Sequence, residues 1–188
     1  MRRVIIVHGI EGHKNENWFP WLRRELEARG IPVWCETLPS PDDPILNEWV
    51  ETVLPQVREG DILIGHSLGA PTMFRVAERL AGKKLKALIS VAGFQSEPNY
   101  PGANRIQRFL KEGFNWKKIK NSAEKIYILD SDNDPYVALA EGEILQKKLK
   151  GERVTFSGRG HINRWGETKT IGEQTFPEIL NIVLQSAS

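Results

Sequence analysis

Ile62-Leu63-Ile64-Gly65-His66-Ser67-Leu68-Gly69-Ala70 is the stretch whose reading decides the fold. A β-branched apolar run of strand type ends in Gly-x-Ser-x-Gly, and a helical pattern begins at once. This is the setting of a nucleophile elbow, in which a sharp strand-to-helix turn carries a serine at its apex. The turn forces Ser67 into a strained backbone conformation that only small neighbours permit. Gly65 and Gly69 remove side chains that would strike the strand and the helix. Ser67 Oγ then stands clear at the C-terminal edge of a sheet, and the Leu68 amide, at a helix N-terminus, points at a developing oxyanion. Gly-x-Ser-x-Gly often arises by chance; the flanking strand and helix make this one specific.

Upstream, Val4-Ile5-Ile6-Val7 is a continuous apolar run, as expected of a parallel strand covered on both faces. It delivers the loop His8-Gly9-Ile10-Glu11-Gly12. The Ile10 N–H is the expected second oxyanion donor, with Glu11 as the alternative. His8 reads as a packed loop residue and His13 as solvent-facing. Asn17 is placed to cap a helix that holds Pro20 in its first turn and turns Trp18, Leu22 and Leu26 inward. Gly30 and Pro32 stop that helix, and a strand follows from Pro32 to Glu36. Asp43-Pro44 reads as the next helix start, with Ile45, Trp49 and Val53 on one face and a kink at Pro55.

Downstream, the helix after Ser67 is expected to reach about Ala81, with Phe74, Ala77 and Ala81 along its inner stripe. Strands are expected at Leu85–Val91, 126–129 and 153–156. A helix over 136–149 should turn Ala140, Ile144 and Leu145 inward and end at Gly151. Thr175-Phe176-Pro177-Glu178 has capping-box spacing for a last helix with Ile179, Leu180, Val183 and Leu184 inside. Six strands alternating with helices predict a three-layer α/β/α sandwich around a mostly parallel, six-stranded sheet, with residues 1–188 forming a single domain. The long connection before Lys125 holds Phe94, Tyr100, Phe109, Phe114 and Trp116. It reads as a small helical cap at about 93–122, and Phe94, Phe109, Phe114 and Trp116 are the expected pocket lining. A plain crossover helix is the alternative.

Composition narrows the function classes. The 188 residues are 40 % hydrophobic and 27 % charged, in keeping with one globular unit. Twenty-six basic against 24 acidic side chains give a net charge of +2, too balanced for nucleic acid as the main partner. The single cysteine, Cys35, excludes an intrachain disulfide and zinc clusters built on cysteine pairs, and it suits a reducing compartment. No run approaches the roughly 18 apolar residues of a membrane helix, and Val4 to Val7 is too short for a signal-peptide core. The expectation is a cytoplasmic protein that needs no metal or cofactor.

Ser67, Asp134 and His161 each follow a strand directly, so a parallel sheet puts all three on its C-terminal edge. Their order, Ser, Asp, His, is that of α/β-hydrolases. A serine hydroxyl is a weak nucleophile at neutral pH and needs a base. His161 sits on a loop that Gly158 and Gly160 make pliant. The acid must reach the far imidazole nitrogen, where it fixes the tautomer and stabilises imidazolium. Of the three nearby aspartates, Asp130 reads as ending the strand and Asp132 as holding the turn; Asp134 has the most natural reach.

With these residues in place, the chain resembles the small serine hydrolases of the YdeN and retinoblastoma-binding-protein-nine family. The resemblance runs nearly end to end. It is carried by His8-Gly9, Trp18-Phe19-Pro20-Trp21-Leu22, Leu38-Pro39-Ser40-Pro41 with Trp49, and Gly65 to Ala70. Trp116 with Lys118-Ile119-Lys120, Asp134-Pro135-Tyr136-Val137 and Gly160-His161 complete it. The resemblance implies a compact α/β-hydrolase fold with Ser67 as nucleophile, Asp134 as acid and His161 as base. Two departures are Ala138, where a proline is common, and Ile162-Asn163, which replace an aromatic after the histidine and reshape the pocket wall. The expected activity is hydrolysis of a small-molecule ester or acyl compound. The alternatives are a protein-binding module on the same fold and acyl transfer to an acceptor other than water.

Overall fold

The structure, a computed structural model, describes residues 2–163 and 174–187. Among these residues, six strands form one parallel sheet. β1 (Val4–Val7), β2 (Val33–Trp34), β3 (Ile62–His66), β4 (Leu85–Val91), β5 (Ala123–Ser131) and β6 (Glu152–Phe156) lie in the order β2-β1-β3-β4-β5-β6. Register pairs Val4 with Ile62, Ile62 with Ala87 and Ile89 with Tyr127. The order reverses between β1 and β3, so the loops leaving these two strands diverge and open a crevice at their C-terminal ends.

Among the described residues seven helices cover the sheet: α1 (Phe19–Glu27), α2 (Leu46–Val53), α3 (Gly69–Glu78), α4 (Asn104–Leu110), α5 (Trp116–Asn121), α6 (Leu139–Leu149) and α7 (Pro177–Ala187). The period-2 alternation of a strand divides the core into two layers. Ile5, Val7 and Leu63 meet Trp49, Phe74, Phe109 and Leu145 from α2 to α6, while Val4, Ile6 and Ile64 meet Leu22 and Leu26 of α1 and Ile179 and Val183 of α7. Each of these aliphatic side chains contributes about 1.5–3 kcal/mol on burial. Among the described residues no helix is long and apolar enough to cross a membrane.

Several element ends fall elsewhere than the sequence predicts. Trp18 occupies the N-cap of α1 with no side-chain cap, and Asn17 is buried at φ +53° instead of capping. α2 begins at Leu46, leaving Ile45 42 % exposed, and Val50 takes the inward position. Pro55 continues α2 as a 3₁₀ turn, since it lacks the N–H an α-helix needs there. α3 ends at Glu78, and Ala81 is exposed at φ +49° while Leu80 is buried.

α6 begins at Leu139 because the amides of Tyr136 and Val137 donate to Asp134 Oδ1, at 2.9 and 3.0 Å, and hold a turn first. Its inner face carries Glu141 and Gly142, while Ala140 is exposed. Glu141 accepts the Gln95 amide at 2.7 Å and the Ser96 hydroxyl, tying the start of the 93–122 segment to α6.

Candidate active site

Ser67 follows β3 at φ +53°, the left-handed region a non-glycine residue enters only when its surroundings impose it. The imposing contacts are visible. A Cβ on Gly65 would collide with the Gly69 backbone, and one on Gly69 with the carbonyl oxygens of Val7 and His8. α3 therefore starts hard against β1. Gly9 is part of the same fit: a Cβ there would lie 2.9 Å from Ser67 Cβ, so the loop after β1 passes directly over the serine. Glu11 N–H donates to Pro41 O at 2.8 Å, whereas among the described residues the amides of Ile10 and Leu68 have no hydrogen-bond partner. Of the two donors considered in that loop, Ile10 is the available one.

The three aspartates at and after the end of β5 have separate tasks. Asp130 pairs with Arg153 Nε at 2.6 Å. Asp132 Oδ1 accepts the Gly158 amide at 2.8 Å, which together with the Ser157 hydroxyl holds this exposed carboxyl below the usual range. Asp132 thus secures the loop after β6 rather than its own turn. Asp134 Oδ2 meets His161 Nδ1 at 2.8 Å, with the two side chains only 3 % and 6 % exposed. Its other oxygen takes the Tyr136 and Val137 amides, so the carboxylate is fixed from both sides.

Two further histidines are structural. His8 Nε2 accepts the Leu38 amide at 2.8 Å, leaving Nδ1–H to donate to Gly9 O at 2.7 Å. Burial pushes its pKa down to about 4, and that of His66 to about 3. Unfolding exposes both rings, which then titrate near 6.5. Their contribution to stability is complete above pH 6.5 and is lost as pH falls, because only the unfolded chain takes up the protons. Between pH 7 and pH 5 each should cost about 2 kcal/mol. Urea midpoints at the two pH values check this: a marked fall on acidification is expected, and a flat profile would contradict the buried neutral rings.

Ser67 and His161 share one cavity of about 350 Å³. Its apolar wall is Phe94, Pro98, Ile106 and Val137, with Tyr100 and Tyr136; Glu11, Glu16 and Asn17 form a polar side, and Asn163 contributes just after His161. Burial raises the pKa of Glu16, while Arg105, at 2.8 Å, lowers that of Glu11 and ties α4 to the loop after β1. Of the four aromatics expected to line the pocket, only Phe94 does so. Phe109 is fully buried against Trp49 at 5.7 Å between ring centres, and Phe114 and Trp116 pack on Phe74 at 5.6 and 5.7 Å. Aromatic content reports burial, and it does not separate a core from a pocket. Tyr136 and Val137 could have been found from their position beside the acid; Glu16, Asn17 and Ile106 carry no comparable signal. Among the described residues no group of His, Cys, Asp and Glu is placed to hold a metal.

A parallel sheet with helices on both faces, and a serine on an elbow at the reversal of strand order, define an α/β-hydrolase. The family model described as Serine hydrolase matches residues 4–181, and the chain belongs to that family. It is 30 % identical over 165 residues to YdeN of Bacillus subtilis (strain 168), provisionally named a hydrolase, covering 86 % of each chain. It is 27 % identical to serine hydrolase RBBP9 of Rattus norvegicus, covering 85 % of this chain and 87 % of the relative. The crystal structure of the B. subtilis ydeN gene product superposes with a TM-score of 0.89 at 25 % identity, over 99 % of this chain and 98 % of that one.

Proposed function

We propose that the protein hydrolyses small to medium carboxylic esters or related acyl compounds through an acyl-Ser67 intermediate. The observation that carries this reading is the buried Asp134–His161 pair, 2.8 Å apart, on the wall of the cavity that also holds Ser67. His161 Nε2 takes the Ser67 proton as Oγ attacks the substrate carbonyl, while Asp134 keeps the Nδ1–H tautomer in place. The carbonyl oxygen, now negative, is received by the N–H groups of Leu68 and Ile10. His161 then protonates the leaving group as the scissile bond breaks. In the second half it takes a proton from water as the water oxygen attacks the acyl carbon. It then gives that proton to Oγ as the acyl–Oγ bond breaks, which releases the carboxylic acid and restores Ser67. Every step is assigned to a group of the protein.

The cavity supports the substrate class. A volume of about 350 Å³ is at the small end of ligand pockets, and its apolar wall binds acyl groups by desolvation. The part of 93–122 that lies over the site is its first half, through Phe94, Pro98, Tyr100 and Ile106. A protein-binding role lacks such support: among the described residues the exposed large hydrophobics are Ile45 and Leu139, too few for a docking patch. Cys35, buried with its thiol pushed up to about 12, fits the proposed cytoplasmic setting as an unreactive core residue.

A p-nitrophenyl ester series tests the assignment. The best kcat/KM is expected at short to medium chains. Phe94→Leu should lower it by about 10-fold for the more apolar members, on the scale of a lost pocket contact. Trp116→Ala should leave the chain-length profile unchanged, although it weakens the packing on Phe74. The reverse pattern would place the acyl site against α5 instead.

A further inference from the structure

The loop that carries His161 is gripped from two directions. From the β5 side, Asp132 Oδ1, Ser131 Oγ and Asn133 Oδ1 accept the amides of Gly158, Arg159 and Gly160 at 2.8, 2.9 and 2.7 Å. From the opposite side come two ring N–H groups. His66 Nε2 lies 3.0 Å from His161 O, and Trp18 Nε1 donates to Ile162 O at 3.1 Å. These are consecutive carbonyls. Both donor rings are buried, Trp18 fully and His66 to within 2 %.

We propose that His66 and Trp18 are positioning residues for the general base: a pair of N–H donors that clamp the His161 and Ile162 carbonyls and so aim the imidazole at Ser67. The proposal rests on the reading of His161 as that base. Three observations support a clamp over simple packing. Ile162 sits at φ +50°, a conformation a β-branched residue enters only when its surroundings impose it, and its carbonyl is held by Trp18 Nε1. A carbonyl only accepts, so the His66 proton is on Nε2, and Nδ1 is left buried without a partner among the described residues. A ring serving only to fill space would not need to leave a nitrogen in that state. Third, Asp134 fixes the rotation of the imidazole through Nδ1 but not the position of the backbone that carries it. The clamp joins that backbone to the elbow and to the N-cap of α1. Trp18 thereby has a task beyond the edge contacts it makes with Phe19 and Phe176.

The test compares variants that fill the same space with and without the donor. His66→Gln places an amide N–H near the position of the imidazole Nε2, whereas His66→Leu is apolar. Two readouts are used: kcat and KM on p-nitrophenyl acetate, and the far-downfield proton resonance of His161 Nδ1–H bonded to Asp134. His66→Leu should lower kcat on the order of 10²-fold, the scale of a small misplacement of a catalytic group, with KM changed less than about 2-fold. It should also lose the resonance. His66→Gln should recover both, to within about 10-fold in kcat. Trp18→Phe should act like His66→Leu, and carries the comparison if that variant does not fold. Wild-type kcat and resonance in the donor-less variants, or Gln no better than Leu, would overturn the clamp. Failure of fluorophosphonate to label Ser67 in the wild type would instead overturn the hydrolase reading, and the resonance would still decide the clamp.

Discussion

Ser67→Ala is expected to abolish labelling by a fluorophosphonate and to lower ester kcat by about 10⁶-fold, the scale of losing the serine in a protease triad. The size follows from the chemistry: without Oγ no acyl-enzyme forms, and what remains is the oxyanion donors acting on bound substrate. The fold should survive, because Ser67 already sits at φ +53° and alanine has the same Cβ in the same position. Thermal unfolding within a few degrees of wild type would show this. Equal labelling of the variant would remove Ser67 as nucleophile and return the fold to a binding role.

Asp134→Asn should lower kcat by about 10⁴-fold, as for the equivalent change in serine proteases, while Asp132→Asn should stay within a few-fold of wild type. The structure explains the asymmetry. An asparagine at 134 can still accept the Tyr136 and Val137 amides, so the turn before α6 persists. Its amide group, however, would donate to His161 Nδ1 and force the proton onto Nε2, where it blocks uptake from Ser67. Asp132 accepts the Gly158 amide and the Ser157 hydroxyl, tasks an asparagine oxygen also performs. A severe loss at 132 with a mild one at 134 would exchange the two roles.

The difference between these aspartates shows where local reading ends. Asp130 lies at the end of β5 and Asp132 and Asp134 share the short loop after it, and spacing alone favours the third without excluding the second. What separates them is the company each keeps in space: Arg153 on β6, the Gly158 amide, and His161. The same holds at the loop after β1, where Ile10 and Glu11 are neighbours. The Glu11 amide is occupied by Pro41 O, thirty residues away.

Ends of helices follow the same rule. Asn17 is a good N-cap by type, yet it is drawn into the cavity wall, and α1 begins at Phe19. The helix over 136–149 loses its first turn to the Asp134 carboxylate. Its inner face carries a carboxylate beside Leu145 and Leu149 because Glu141 binds the segment after β4, which no apolar periodicity can announce.

By itself the sequence determined the strands of apolar β-branched residues, their alternation with helices, and the elbow at Ser67. Each of these follows from neighbours within a few positions: backbone propensity, a period of burial, and glycines that leave room for a tight turn. It also determined that Ser67, Asp134 and His161 fall on one edge, since a parallel sheet puts every strand end on the same side. Only the tertiary structure decided which aromatics wall the cavity and which sit in the core, since Phe94 and Phe109 have the same chemistry and differ only in what packs on them. It alone decided how the His161 loop is held, because its restraints come from 131–133 on one side and, on the other, from His66 and Trp18, 95 and 144 residues from the carbonyls they bind. Hydrogen bonds of that reach depend on the whole sheet having closed first.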